Sequence, residues 1–386
     1  MSVTAATGFA AGAVHCGVRK KESLDLAVVQ SLVPATGAGM FTVNRVQAAP
    51  VVVSREHLTA AQPQAIVANS GIANAATGPP GIDVARVMAQ ATAAKLGVET
   101  EQVLVLSTGV IGEQLPIDRI VGGITRIVMQ EEGGNAAAQA IMTTDTHTKE
   151  SVAHGAGFTV GGMAKGSGMI HPCLATMLAV VTTDYPLEPG EAIEFLRPAV
   201  DASFNAISVD GECSTNDTVL LLANGASGAQ RTPASDAEFA LCLRSVCGEL
   251  AKQIVADGEG ATVIAEIAVR GAASDGEARA IAERVATSPL VKTALHGHDA
   301  NWGRIAAAAG SAKHDGGFAA LDPDKLSILV DGIPVLVAGI PSGDEPVLEN
   351  GHCEIELDLA LGDGAARYLT TDLSYDYVRI NAEYRS

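Results

Sequence analysis

Between Lys165 and Asp184 the chain reads KGSGMIHPCLATMLAVVTTD, a glycine-bearing loop that runs into an apolar, β-branched segment. Such a run, short and bounded by Gly and Pro, reads as a buried strand, and any fold must place it inside a sheet. Thr176 follows Ala175 at the mouth of this strand. One reading makes it an ordinary strand-opening residue. The other is chemical: if the Ala175-Thr176 bond breaks, Thr176 becomes an N-terminus with a hydroxyl and an amine on adjacent carbons. An α-amino group titrates near pH 8, so a useful fraction is neutral and can take the hydroxyl proton. Gly166 and Gly168 would let the loop bend so that Thr176 reaches its own upstream carbonyl, although a tight hairpin turn explains them equally well.

The rest of the chain bounds the choice. At 386 residues and 47% hydrophobic, it is long and apolar enough for a large core, and two layered units are expected. Acidic residues number 44 against 25 basic ones, a formal charge of -19, which disfavours nucleic acid and anionic membrane surfaces as partners and favours a small-molecule ligand. Aromatics make up 3%, too few for a base-stacking platform or a membrane-interface belt, and Ala and Gly in their place imply close backbone packing. The N-terminal charges follow the apolar part, and no apolar run approaches the roughly 20 residues of a spanning helix, so a soluble, cytoplasmic chain is expected. Six scattered cysteines without C-x-x-C suggest free thiols. His296, His298 and Asp299 make an H-x-H-D that lacks a partner cluster, and no metal site is expected.

Local patterns give the elements. Val84, Val87, Met88 and Ala91 recur at helical spacing from Gly81 until Gly97 offers a stop, and VLVL (103–106) follows as a strand. Ser107-Thr108-Gly109-Val110-Ile111-Gly112 reads as the turn ending that strand, able to present N–H groups to an oxyanion or to serve only as a turn. Ser235 with Glu238 forms a capping-box pattern ahead of a long helix whose apolar face is Phe239, Leu243, Val246, Cys247, Leu250 and Ile254. After a turn at 257–260, Val263, Ala265, Ile267 and Val269 alternate as in a one-sided strand. Ser274 with Glu277 caps another helix, and Asp331-Gly332 between two apolar runs fits a type I′ hairpin. Helices fall in blocks between hairpins, so the fold class expected is α+β, layered, with mixed sheets flanked by helices.

Taken in order, FTVNRVQAAPV (41–51), NSGIANAATG (69–78), STGVIG (107–112), AIMTTDT (140–146), MAKGSGM with ATML (163–178), STNDT (214–218), DGEGAT (257–262), SPLVKTA with NWGR (288–304) and the tail NAEYRS resemble the ornithine acetyltransferase family, the bifunctional glutamate N-acetyltransferases of arginine biosynthesis, over essentially the whole chain. The resemblance implies a layered sandwich of the ornithine acetyltransferase and DmpA-like type. It implies self-cleavage into an α fragment, 1–175, and a β fragment, 176–386, which stay associated as an α2β2 assembly. The implied reaction moves the acetyl group of N2-acetyl-L-ornithine to L-glutamate through an acetyl-threonine. Carried over, Thr176 is the nucleophile, Thr108 and Gly109 form the oxyanion hole, and Thr143, Lys165, Thr176, Glu259, Asn381 and Ser386 bind substrate. No cofactor is implied; acetyl-CoA remains open as a second donor.

The chemistry agrees with this reading. Acyl transfer needs a nucleophile, a base and donors aimed at the developing oxyanion, and Thr176 with Thr108 and Gly109 supplies them. Both substrates share an α-carboxylate and differ in distal charge, which suits Lys165 facing the carboxylate and Glu259 facing the ornithine ammonium. Competing readings are a self-cleaving aminopeptidase that passes its acyl group to water, and a non-enzymatic binding protein. A nucleotide-binding protein is disfavoured because neither G-x-G-x-x-G at a strand-helix junction nor a P-loop is present.

Overall fold

The computed structural model describes residues 2–20, 22–171, 177–344, 346–348 and 351–383; Ala175, Thr176 and Ser386 lie outside them. The chain divides into two compact units, the first running to Asn205 and resuming over Glu212–Ile254, the second comprising Ala206–Gly211 and Val255–Tyr384.

In the first unit, β1 (Phe9–Val14), β2 (Leu26–Ser31), β4 (Ala65–Ile72) and β5 (Val103–Val110) form one sheet in the order β1-β2-β4-β5. A second sheet runs β3 (Thr36–Phe41), β10 (Thr218–Ala223), β8 (Leu178–Thr183), β7 (Phe158–Lys165), β6 (Lys149–Gly155). LAVVTT is β8, buried throughout, flanked by β10 in parallel and β7 in antiparallel register. A strand with partners on both edges and no exposed face must be apolar on both sides, which explains the unbroken run. Phe9, Val29, Ile66 and Leu106 of the first sheet share a core with Met163, Leu178, Val180 and Leu220 of the second.

Helices α1 (Ala49–Ala60), α2 (Gly78–Leu96) and α3 (Ile117–Arg126) cover the outer face of the first sheet, burying Val53, Met88 and Ile120 against Val67 and Val105. α4 (Gly134–Ala140) enters the shared core, α5 (Ala192–Asp201) lies against β3 and β10, and α6 (Pro233–Ala256) sets Val246 and Leu250 beside Gly162 of β7. The first unit is thus helix, sheet, sheet, helix. Small residues make the layers close: a Cβ on Gly161 would stand 2.3 Å from the Ser2 carbonyl oxygen.

The second unit is a sheet in the order β16 (Ile340–Pro341), β15 (Ile333–Val337), β14 (Ser327–Val330), β17 (Gly351–Asp358), β11 (Val263–Ala272), β18 (Gly364–Thr371), β9 (Ile207–Ser208), with the small pair β12 (Lys313–His314) and β13 (Gly317–Phe318). Its helices are α7 (Asp275–Ala286), α8 (Pro289–His296), α9 (Trp302–Ala309) and α10 (Tyr375–Glu383). Ile281 and Val285 of α7 pack on Ala265 and Ile267 of β11, whose alternate residues are only partly buried, the one-sided pattern expected of that strand. Asp331 and Gly332 take φ of +49° and +75°, the two positive values a type I′ turn requires.

Three local expectations need correction. α2 starts at Gly78, ahead of Gly81, because Pro79 and Pro80 occupy a first turn whose N–H groups need no helical partner. The cap of α6 is Thr232, not Ser235: Pro233 fixes the first turn, the Ser235 N–H donates to Thr232 Oγ1 at 3.1 Å, and the Thr232 N–H donates back to Ser235 Oγ at 2.8 Å. Ser107 to Val110 is not a turn but the end of β5, which stays paired with β4 through Gly109.

Candidate active site

The end of β5 owes its shape to two glycines. Ser70 lies opposite Thr108 and Gly71 opposite Gly109, then the register slips at Ile72. Gly71 and Gly109 have φ of +106° and +129°, and a Cβ on Gly109 would fall 2.2 Å from the Gly71 carbonyl carbon. No other residue type allows the two backbones to approach this way. Thr108 beside it is buried.

The segment STNDT, which enters β10, ties this strand end to the start of β8. Asn216 donates its amide to the Ser107 carbonyl at 2.8 Å and to the Ala73 carbonyl at 2.7 Å. Its neighbour Asp217 accepts the Met177 N–H on Oδ1 at 3.0 Å. Burial drives the Asp217 carboxyl well above the usual carboxylate range, against the opposing pull of the Met177 N–H, Ser214 and the Lys165 charge. Among the described residues no donor meets its Oδ2 at hydrogen-bonding geometry.

A third group sits at the end of β7, where Lys165 pairs with Leu178. The Lys165 ammonium, 2% exposed, donates to Thr143 Oγ1 at 2.6 Å, so two residues singled out in the sequence do meet. Between them stands Asp145, its side chain fully buried, with Lys149 Nζ at 2.7 Å and Lys165 Nζ at 4.0 Å. Burial favours its neutral form, yet the Lys165 and Lys149 charges and the Lys149 and Thr143 hydrogen bonds prevail and hold the carboxyl well below its ordinary range. Ser70, opposite Thr108, donates to the Ala140 carbonyl at 2.7 Å, linking the β4–β5 end to the segment that carries Thr143. A cavity of about 650 Å³ opens beside Thr143 and Asp145, with Arg19 on its wall donating to the Met142 and Thr143 carbonyls at 3.2 and 3.3 Å.

In the second unit the Asn381 amide of α10 donates to Glu259 Oε2 at 2.9 Å, which joins the other two described residues of the expected substrate set. Of the H-x-H-D group, His296 Nδ1 bonds Asp372 Oδ2 at 2.8 Å, while His298 and Asp299 line a separate cavity with Trp302. No cluster of three or more His, Cys, Asp or Glu that could hold a metal stands among the described residues. Asp145, Asn216 and Asp217 had no role assigned from sequence. Each lies inside a segment, AIMTTDT or STNDT, that carried the family resemblance, but only contacts reveal what it does.

The model of the ArgJ family matches residues 10–386. This chain belongs to the ArgJ family. The arginine biosynthesis bifunctional protein ArgJ of Syntrophotalea carbinolica is 45% identical over 394 residues, 98% of this chain and 99% of that protein. The protein of the same name from Mycolicibacterium paratuberculosis is 46% identical over 397 residues, 100% of this chain and 96% of that one. Among solved structures, ArgJ of Bacillus halodurans matches at 44% identity with a TM-score of 0.43, covering 46% of this chain and 94% of that chain. An ornithine acetyltransferase of Mycobacterium tuberculosis complexed with ornithine matches at 42% identity with a TM-score of 0.44, covering 44% and 94%. Membership fixes the enzyme class expected from the sequence: this ArgJ-family chain is an acetyltransferase of arginine biosynthesis.

Proposed function

We propose that the chain cleaves itself between Ala175 and Thr176 and then carries acetyl from N2-acetyl-L-ornithine to L-glutamate through an acetyl ester on Thr176. The observation that carries this reading is the double reach of Asn216 and Asp217, adjacent in sequence, to the Ser107 carbonyl beside Thr108 and to the Met177 N–H beside Thr176. One segment thereby joins the strand end that carries the proposed oxyanion hole to Met177, the residue that follows the proposed nucleophile in sequence.

In the cleavage step the Thr176 hydroxyl adds to the Ala175 carbonyl carbon and the peptide nitrogen leaves as an amine after gaining a proton. Water hydrolyses the resulting ester, freeing the Ala175 carboxylate and the Thr176 amine. In transfer, that amine takes the hydroxyl proton as Oγ attacks the acetyl carbonyl. Thr108 Oγ1–H and the Gly109 N–H stabilise the oxyanion, each contributing about 3 kcal/mol. Ornithine departs with the proton, the glutamate amine attacks the acetyl-threonine, and Thr176 is regenerated. Lys165 and Thr143 hold the shared α-carboxylate end, and Glu259 with Asn381 and Ser386 receives the distal group. No cofactor takes part; acetyl-CoA enters as a second donor, a reading that the word bifunctional in the relatives' name favours. The α and β fragments stay joined because the second sheet interleaves them: β3, β7 and β6 come from one and β10 and β8 from the other. Two such pairs form the α2β2 assembly.

Mass spectrometry of protein incubated with acetylornithine tests the scheme. Two fragments, with one acetyl mass on the fragment beginning at Thr176, are expected; when L-glutamate is then added, acetate released without acetylglutamate would favour the aminopeptidase-like alternative. Thr176→Ala should remain a single 39.2 kDa chain without acetyl transfer, and a two-band gel from this variant would exclude the mechanism.

A further inference from the structure

Asp145 holds the backbone on both sides of the Thr143–Lys165 pair. Its Oδ2 accepts the Thr143 N–H at 2.8 Å, and its Oδ1 accepts the Gly166 N–H at 2.6 Å. One carboxylate therefore binds the backbone of the first residue and the backbone just after the second. Gly166 has φ of +146°, so the chain turns away from β7 at the point where Asp145 holds it. Lys165 Nζ stands 4.0 Å from Oδ2 and gives a 2.6 Å hydrogen bond to the Thr143 hydroxyl. Lys149, fully buried, takes Oδ1 at 2.7 Å. The tight ion pair is thus made with Lys149, while Lys165 is held near the same charge and directed at Thr143.

We propose that Asp145 is a positioning residue that sets the distance and direction of the Lys165 ammonium relative to the Thr143 hydroxyl, with Lys149 as its buried counter-ion. The inference rests on the assignment of Lys165 and Thr143 to the substrate α-carboxylate. Acidity supports the geometry, since the neighbouring ammonium groups overcome burial and keep Asp145 ionised. A carboxylate can serve several donors at once, whereas an amide in its place offers one acceptor oxygen and loses the charge that offsets two ammonium groups.

The test compares acetylornithine, which has the α-carboxylate, with p-nitrophenyl acetate, which lacks it and needs only nucleophile and oxyanion hole. It uses full-length wild type, Asp145→Asn, and the double variant Asp145→Asn/Lys149→Met, in which both partners of the tight buried ion pair lose their charge and the Lys149 ammonium is not left buried without its partner. In both variants kcat/KM for acetylornithine should fall about a hundredfold, the scale of an ångström-level misplacement, with the loss mainly in KM. Turnover of p-nitrophenyl acetate should stay within about threefold of wild type. Recovery of the acetylornithine KM in the double variant would mean that only the stranded Lys149 charge mattered and would overturn the proposal. An equal loss on both substrates, or no loss on acetylornithine, would overturn it too. If Asp145→Asn does not fold, the double variant decides alone. Wild type that acetylates from p-nitrophenyl acetate but never from acetylornithine would remove the functional reading and this inference with it.

Discussion

A single buried acid shows how a residue can be costly in isolation and retained for its contacts. Asp217 is fully buried, and burial raises its carboxyl far above an ordinary aspartate. A group whose folded pKa is raised holds its proton in the native state at pH values where the unfolded chain has lost it. The native state then binds more protons than the unfolded one, so stability falls as pH rises above about 3.9, the unfolded aspartate value, until the folded group also ionises. Asp217→Asn keeps an acceptor for the Met177 N–H and removes the titration. Its melting temperature, measured from pH 5.5 to pH 8, should gain on wild type progressively as pH rises; a constant offset across that range would show that Asp217 is ionised in the fold. The STNDT motif contains this residue but does not reveal its role, because its partner lies 40 positions away and its burial comes from the strands around it.

At the scale of elements, patterns with a local cause were readable and those set by a partner strand were not. The face of α6 from Phe239 to Ile254 is buried as its 3.6-residue spacing requires, and Ser274 caps α7 by accepting the Glu277 N–H at 3.2 Å. Both depend on residues within a turn or two of each other. The continuation of β5 through Ser107-Thr108-Gly109 was missed because glycine beside threonine favours a turn locally, while the parallel ladder to β4 imposes extension. That ladder makes a prediction: Gly109→Ala must push the Gly71 backbone aside, and it should lower acetyl transfer by at least a hundredfold. Activity near wild type, measured on folded and self-cleaved protein, would show that the close approach of the two strands is dispensable.

At the scale of the molecule, a formal charge of -19 on 386 residues sets up self-repulsion that salt should screen. Raising sodium chloride from about 0.02 to 0.3 M, where the Debye length falls below about 10 Å, should raise the melting temperature by a few degrees; a fall would mean that attractive surface pairs outweigh the excess charge. The α+β class, the buried strand after Gly166, the long helix and the I′ hairpin were all set by the sequence itself, since periodicity and turn chemistry act between near neighbours. The family, and with it the chemistry proposed for Thr176, Thr108 and Gly109, was likewise legible as a set of ordered motifs. Only the tertiary structure decided that Asp145 lies between Thr143 and Lys165, that Asn216 and Asp217 reach in two directions, and that strands from both sides of the Ala175-Thr176 bond lie side by side in one sheet. Apart from the Thr143–Asp145 bond, those contacts join residues tens to more than a hundred positions apart, and their partners are selected when buried polar groups and strand edges must be satisfied together, a condition no short stretch of sequence contains.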